Sequence, residues 1–392
     1  MPVAVYVLGL AIFAQGTSEL MLAGILTEMS SDLGVSVPQA GLLVSAFALG
    51  MLVGAPVLAA TTLRLSRRTA LLGFLAVFVI AHVIGALTSS YWVLFGTRVI
   101  AAFVYAGFWA VGAATAISLT PPNKRGRAMG IVAGGLTVAT IIGLPAGTVI
   151  GQHWGWRAAF WAVAALSALA MLGVLARIPA ARAAEIPDLR RELRSLVNPR
   201  VWLHYGTTAL QIASLMVTFT YLGALLTETT GLAAGWVPVV LTIYGVGAVL
   251  GIAIGGRTAD THPVRTLYLG FAGLIGTSVL LALTGQYAVT AVLAAFLLGA
   301  FGFGVNPTLN SRIFALAADG PTLGTAFNTS AFNVGITVGP WLGGLAIGAG
   351  LGYPATAWIG VVLGIAAIGT LRWSQALHRN SAPAAPEPAL AN

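Results

Sequence analysis

Long apolar runs, separated by short clusters of arginine, glycine and proline, make up almost the whole chain. Crossing a bilayer takes roughly 20 apolar residues. Twelve such runs are predicted, over 3–26, 37–61, 69–88, 91–118, 127–150, 158–177, 201–227, 236–255, 266–284, 287–316, 322–346 and 355–373. The first has no basic stretch ahead of it and eleven others follow, so it reads as helix 1 and not as a signal peptide. The expected fold class is an all-α membrane protein of twelve transmembrane helices.

One long polar segment interrupts the pattern, IPAARAAEIPDLRRELRSLVNPR at 178–200. It divides the chain into an N-terminal six-helix bundle (1–177), a cytoplasmic linker (178–200) and a C-terminal six-helix bundle (201–375). The Pro- and Ala-rich stretch 376–392 is expected to be a disordered cytoplasmic tail. The two halves are related. Adding 197 carries Arg68, Thr69, Leu72, Gly73 and Phe74 onto Arg265, Thr266, Leu269, Gly270 and Phe271, and Gly147 and Gly151 onto Gly344 and Gly348. Adding 200 aligns the LTE of 26–28 with that of 226–228. Parallel six-helix repeats predict two pseudo-symmetric bundles that rock about a central cavity holding the substrate.

Composition supports this reading and adds a topology. Of 392 residues, 58% are hydrophobic and 7% charged, against about 25% charged in a soluble domain. Of the 19 Lys and Arg, all but Arg98 and Arg157 fall in loops or at span ends on one side, which the positive-inside rule places in the cytoplasm with both termini. The net charge of +9 therefore reports topology, and no nucleic-acid partner is expected. A bacterial plasma membrane is the expected location, with lipid and protons as the surroundings and a monomer as the working unit. Cysteine is absent, which removes disulfides and thiol chemistry. His82, His153, His204, His262 and His378 lack ligand spacing, so they read as loop or interface residues and no metal or other cofactor is expected. Glycine reaches 49 residues, and small residues let membrane helices approach closely.

Three motifs carry a resemblance to the major facilitator superfamily, in its twelve-span drug/proton antiporter branch. Gly256, Asp260 and Arg265 match a cytoplasmic signature after helix 8, whereas its counterpart after helix 2 has Ala59 and Leu63 in place of the Gly and Asp. The antiporter signature appears in full on helix 11 as Gly335, Gly339, Pro340, Gly343 and Gly344, and as the variant Gly143, Pro145 and Gly147 on helix 5. A proline among glycines bends a helix and offers a small-residue face for a neighbour to pivot against. The third motif is LFGTR, ending at Arg98, although the residues that usually follow are replaced by Ala101 and Ala102. FAQGTSELMLAG and GQHWGWRAAFW are similar to segments of actinobacterial chloramphenicol-resistance exporters. The resemblance implies proton-coupled export of a small drug, most simply chloramphenicol. A same-fold exporter or facilitator of a sugar, nucleoside or amino acid is the alternative.

Glu19 is the only acid inside a predicted span, and Arg98 the only base placed well inside one. Each stands about seven residues from the outer end of its helix, roughly 10 Å deep at 1.5 Å per residue. Intramembrane ionisable residues are costly and mark function by default. Desolvation is expected to raise the proton affinity of Glu19 and an approaching Arg98 to lower it, which would couple proton and drug. A static ion pair that fixes helix packing, or an Arg98 that snorkels to the headgroups, are the plainer readings. The repeat sets Phe219 opposite Glu19 and Phe296 opposite Arg98. Tyr105 and Trp109 follow Arg98 on one helical stripe and, with Gln15, are candidate drug contacts, as are Asn306 and Asn310 on helix 10. An enzyme is not expected: the single lysine, Lys124, lies in PPNKRGR, so no phosphate-binding loop exists, and HExxH is absent.

Overall fold

The computed structural model describes residues 1–61, 65–121, 124–179, 198–259, 261–317 and 321–380. Among them twelve helices are long and apolar enough to cross a membrane, and no strand occurs. In chain order they are α1 (Val3–Leu20), α2 (Val37–Ala55), α3 (Arg67–Leu87), α4 (Tyr91–Ser118), α5 (Arg127–Trp154), α6 (Trp156–Arg177), α7 (Pro199–Thr229), α8 (Ala234–Ala259), α9 (Pro263–Thr284), α10 (Ala288–Ile313), α11 (Phe327–Gly348) and α12 (Pro354–Leu377). Every predicted span is present. Most of the 178–200 linker, the end of the chain from 381, Leu63, Arg64 and Asp260 lie outside the described residues.

Local chemistry sets the helix ends. Gly34 and Gly155, at φ 63° and 82°, turn the chain where another residue would be strained. Ser66 caps α3 by accepting the Thr69 N–H at 3.1 Å. Inside α5, Pro145 has no N–H to donate, and the turn just before it, Ala139–Gly143, opens into a π-helix. The predicted span 3–26 straddles a break: α1 stops at Leu20 and the helix resumes over Leu22–Leu33. The main α-helical part of α7 ends in the same way at Phe219 and resumes at Leu222, 200 residues further on.

The repeat reappears in the packing. A Cβ added to Gly50 or Gly54 of α2 would strike the carbonyls of Val99 or Phe103 of α4, and one added to Gly247 or Gly251 of α8 would strike those of Phe296 or Ala300 of α10. Both pairs of contacts repeat at a shift of 197, so Arg98 answers to Ala295 and not to Phe296, which the sequence set opposite it. Lipid tails are as apolar as leucine, so close van der Waals packing of this kind, and not burial from water, holds such helices together.

Each half has its own apolar core, centred on Phe47, Phe78, Tyr105, Phe108 and Phe160 in the first and on Leu215, Phe219, Leu241, Tyr244 and Leu298 in the second. Ile336 of α11 touches both. Among the described residues two hydrogen bonds join the halves. Ser45 Oγ donates to the Thr337 carbonyl at 2.8 Å and Gln152 Nε2 to the Ala234 carbonyl at 3.0 Å. Gly245 of α8 lies against the backbone of Thr140 in the π-turn of α5. The Gln152–Ala234 bond and the contacts of Gly41 with Tyr221 and of Gly344 with Pro38 lie toward the Arg-poor loops (88–90, 230–233 and 285–287), and Thr140–Gly245 and Ser45–Thr337 lie near mid-helix, so the two bundles are closed against each other from mid-depth to that side.

Candidate functional site

Arg98 is the largest fully enclosed side chain in the described structure, 1% exposed at the heart of the first bundle. It does not snorkel. Its Nη1 donates to Ser18 Oγ at 2.7 Å, and its guanidinium carbon lies 4.2 Å from the centroid of the Phe47 ring, a cation–π contact strengthened by the absence of water. Ser18 Oγ is in turn 2.6 Å from His82 Nε2, and His82 Nδ1 is 2.9 Å from the Phe78 carbonyl. Three helices, α4, α1 and α3, thus meet in one polar chain inside an apolar core. Arg98 Nε and Nη2 are buried without a partner.

Glu19 stands next to Ser18, one residue before the break in α1. On a helical wheel it projects about 100° from Ser18, which faces α3 and α4, and about 60° from Gly16, whose backbone faces Tyr105 and α5. This places the half-buried carboxylate on the α4 side, within Coulombic reach of Arg98 and Tyr105. The two expected partners nevertheless do not form an ion pair. Among the described residues one salt bridge occurs, and it is elsewhere. Glu19 is a near neighbour of Arg98, and Ser18 is the residue Arg98 holds.

The remaining N-terminal candidates divide. Tyr105 is 2% exposed and its ring lies 6.0 Å from that of Phe47, so Arg98 and Tyr105 share one aromatic neighbour. Trp109 is half-buried against the same core. Gln15 is fully buried: its Nε2 donates to the Ala11 carbonyl at 3.2 Å while Oε1 has no partner. In the second bundle, Asn310 Oδ1 accepts from Asn328 Nδ2 at 3.0 Å, and Asn328 Oδ1 accepts from Thr208 at 3.3 Å. Asn306 keeps a buried, unpartnered Oδ1. Asn306 and Asn310 belong to this second cluster, and Arg98 bonds to Ser18 in the first bundle.

The glycine motifs act within each half more than across the seam. On α11 a Cβ at Gly335 would come within 2.5 Å of the Ala209 carbonyl, and one at Gly339 within 2.8 Å of that of Ala213, both on α7. Gly343 and Gly344 meet Tyr221, whose hydroxyl donates to the Pro340 carbonyl at 2.8 Å. On α5, Gly143 meets Thr17 of α1 and Gly147 meets Met21 in the break after it. The face expected to serve a neighbour as a pivot is thus filled, apart from the contact of Gly344 with Pro38. Gly256 has open space around it, and Arg265 is exposed.

Three features escaped sequence reading. His82 is 1% exposed and His204 2% exposed, both inside spans and not in loops. Arg157, placed on the far side by charge counting alone, pairs with Asp32. Trp156 Nε1 donates to the same carboxylate at 3.0 Å, and Arg157 Nη2 donates to the Thr88 carbonyl at 3.1 Å. These hydrogen bonds hold the Asp32 carboxyl below the usual carboxylate range. Finally, the repeated LTE places Glu28 and Glu228 on one cavity of about 200 Å³ between the halves. Burial pushes the Glu28 carboxyl up. The signal for both pairings was present, in the lone outer arginine and in the repeat.

A sequence model of the Major Facilitator Superfamily matches residues 8–319. The chain belongs to the major facilitator superfamily. Members of this family are membrane transporters and not enzymes. The chain is 41% identical over 362 residues to a chloramphenicol resistance protein of Streptomyces lividans, covering 91% of this chain and 92% of that one. It is 32% identical over 357 residues to the inner membrane transport protein YdhP of Escherichia coli K12, with 91% and 92% covered. The fold is that of a crystal structure of the nucleoside transporter NupG, with a TM-score of 0.73 at 16% identity over 96% of this chain and 99% of that one.

Proposed function

We propose that this major facilitator superfamily protein is a proton-coupled exporter of a small, neutral drug, with chloramphenicol as substrate, in the bacterial plasma membrane. The Arg-rich face is then cytoplasmic, and a monomer holds both bundles. The observation that carries the reading is a half-buried Glu19 beside an enclosed Arg98 that it does not grip, in a chain 41% identical to a chloramphenicol resistance protein. Glu19 takes a proton from outside and gives it up inside. Arg98, stripped of water, favours the ionised carboxylate whenever it approaches, so occupancy by proton and by drug alternate. Tyr105, Trp109 and Gln15 supply aromatic surface and a buried amide beside this centre, the mix of apolar wall and few polar groups that suits a neutral ligand. With the bundles closed on the Arg-poor side, drug enters from the cytoplasm.

Transport of labelled chloramphenicol into everted vesicles tests this. An imposed proton gradient, acid inside, is expected to drive accumulation. Glu19→Gln is expected to abolish that accumulation while exchange of drug across the vesicle without a gradient continues. Full gradient-driven accumulation by Glu19→Gln sinks the coupling role, and transport of a sugar or nucleoside in place of the drug sinks the substrate.

A further inference from the structure

We propose that Ser18 and His82 form a neutral docking station for the Arg98 guanidinium, in competition with Glu19, which makes His82 a positioning residue for the coupling switch. This rests on Glu19 and Arg98 being the coupling pair.

The hydrogen bonds have a fixed direction. The Phe78 carbonyl can only accept, so its contact with His82 Nδ1 at 2.9 Å puts the ring proton on Nδ1. His82 Nε2 then accepts the Ser18 hydroxyl at 2.6 Å, and the same oxygen accepts from Arg98 Nη1 at 2.7 Å. Donation therefore runs one way, from Arg98 through Ser18 to His82 and the α3 backbone. A doubly protonated ring would reverse the middle bond and set a second cation beside Arg98. The groups packed around the ring are Phe78 at 4.2 Å and Phe160 of α6 at 5.5 Å. The charged group facing it is Arg98 from α4, and Glu19 of α1 follows Ser18 by one residue.

A docked guanidinium here uses one of its three nitrogens, and Nε and Nη2 stay buried and unpartnered. A neutral hydroxyl and a ring face compensate a buried cation less than a carboxylate does. Glu19, one residue along the same helix end, is the carboxylate in reach. Two adjacent residues of α1 thus present Arg98 with two alternatives. It rests on Ser18 while Glu19 is neutral and transfers to Glu19 when Glu19 ionises. Without the station, Arg98 would have no hydrogen-bonding partner but Glu19 and would hold it ionised to lower pH.

The test uses Ser18→Ala, His82→Phe, which keeps an aromatic ring between Phe78 and Phe160, and His82→Gln, which restores an acceptor. Two quantities are read in everted vesicles: the pH profile of gradient-driven drug accumulation, and drug exchange without a gradient. Ser18→Ala and His82→Phe are expected to move the profile about one pH unit toward acid, tenfold in proton concentration, with exchange within about twofold of wild type. His82→Gln is expected to keep the wild-type profile, and the double variant Ser18→Ala/His82→Phe to shift no further than either single one. An unmoved profile in the single variants, or additive shifts in the double, overturns the station. Should His82→Phe fail to fold, Ser18→Ala decides alone. A wild type without gradient-driven accumulation defeats the proposed function instead. The station is then judged by the imidazole nitrogen resonances of His82: an Nδ1–H tautomer supports it and an Nε2–H tautomer overturns it.

Discussion

Replacing Gly245 with alanine should push this closed form apart. The added Cβ would lie 2.7 Å from the Thr140 carbonyl oxygen, 3.1 Å from its carbon and 3.0 Å from Ile141 Cα. Ordinary contact begins near 3.4 Å, so the closest approach is 0.7 Å too short (3.4 less 2.7). These are backbone atoms of the α5 π-turn and cannot rotate aside, so α5 and α8 must separate across the seam. Overpacking of this size costs about 1–3 kcal/mol. Alanine also gains about 1 kcal/mol of helix propensity over glycine, but α8 is helical in any arrangement of the bundles, so that gain cancels between states. What remains is a bias of about 5- to 150-fold against closure. The chain has no cysteine, so spin labels on Ser89→Cys and Tyr287→Cys, both exposed on the Arg-poor side, report the separation of the bundles without background. Gly256→Ala, which meets nothing within 4 Å, is the control. If both variants give the same distance distribution, the seam at Thr140 does not limit closure and the reasoning fails.

Two further outcomes are open to measurement. Phe47→Leu removes the ring face under Arg98, 4.2 Å from its guanidinium carbon, and is expected to lower stability by roughly 1–3 kcal/mol, whereas Phe47→Tyr keeps a cation–π face and most of the stability; thermal unfolding in detergent distinguishes them. The Asp32 carboxyl is held low by Arg157 and Trp156, so its contribution is present above the ordinary carboxylate range and lost as pH falls through the depressed value. Because both charged partners are a third or more exposed, that contribution is on the order of 0.5 kcal/mol. Asp32→Asn should therefore cost that much near pH 7 and progressively less as pH falls below the ordinary carboxylate range, as read by thermal unfolding across that pH series.

The number and type of the spans were legible in the chain, because each crossing of a bilayer demands one long apolar run. The break after Leu20 was not legible, since the residues around it, GTSELMLAG, remain apolar enough to continue a helix and only tertiary packing decides. At the site, chemistry was legible and contact was not. The depth of Glu19 and Arg98 followed from counting residues along two helices. Which neighbour Arg98 would take depended on rotation of α1 to within one residue, and Ser18 won that position. His82 was invisible for a related reason. Its side-chain partner is Ser18 of α1, 64 residues away in sequence, and a lone histidine in an apolar run carries no local pattern. The registers of the repeat were nearly right, and one residue of slippage in α4 exchanged Ala295 for Phe296.

Among the described residues the first bundle's interior holds a single carboxylate near its arginine, and this sets a ceiling on what the machine can do. On the proposed mechanism, with Glu19 alone carrying the coupled proton, one proton moves per turnover, so a neutral cargo would be concentrated by at most about tenfold for each pH unit across the membrane, with a further 2.3 kcal/mol or so for each 100 mV. Protection by such a protein would then depend on outrunning the leak of drug back through the lipid, and abundance in the membrane would matter as much as the driving force.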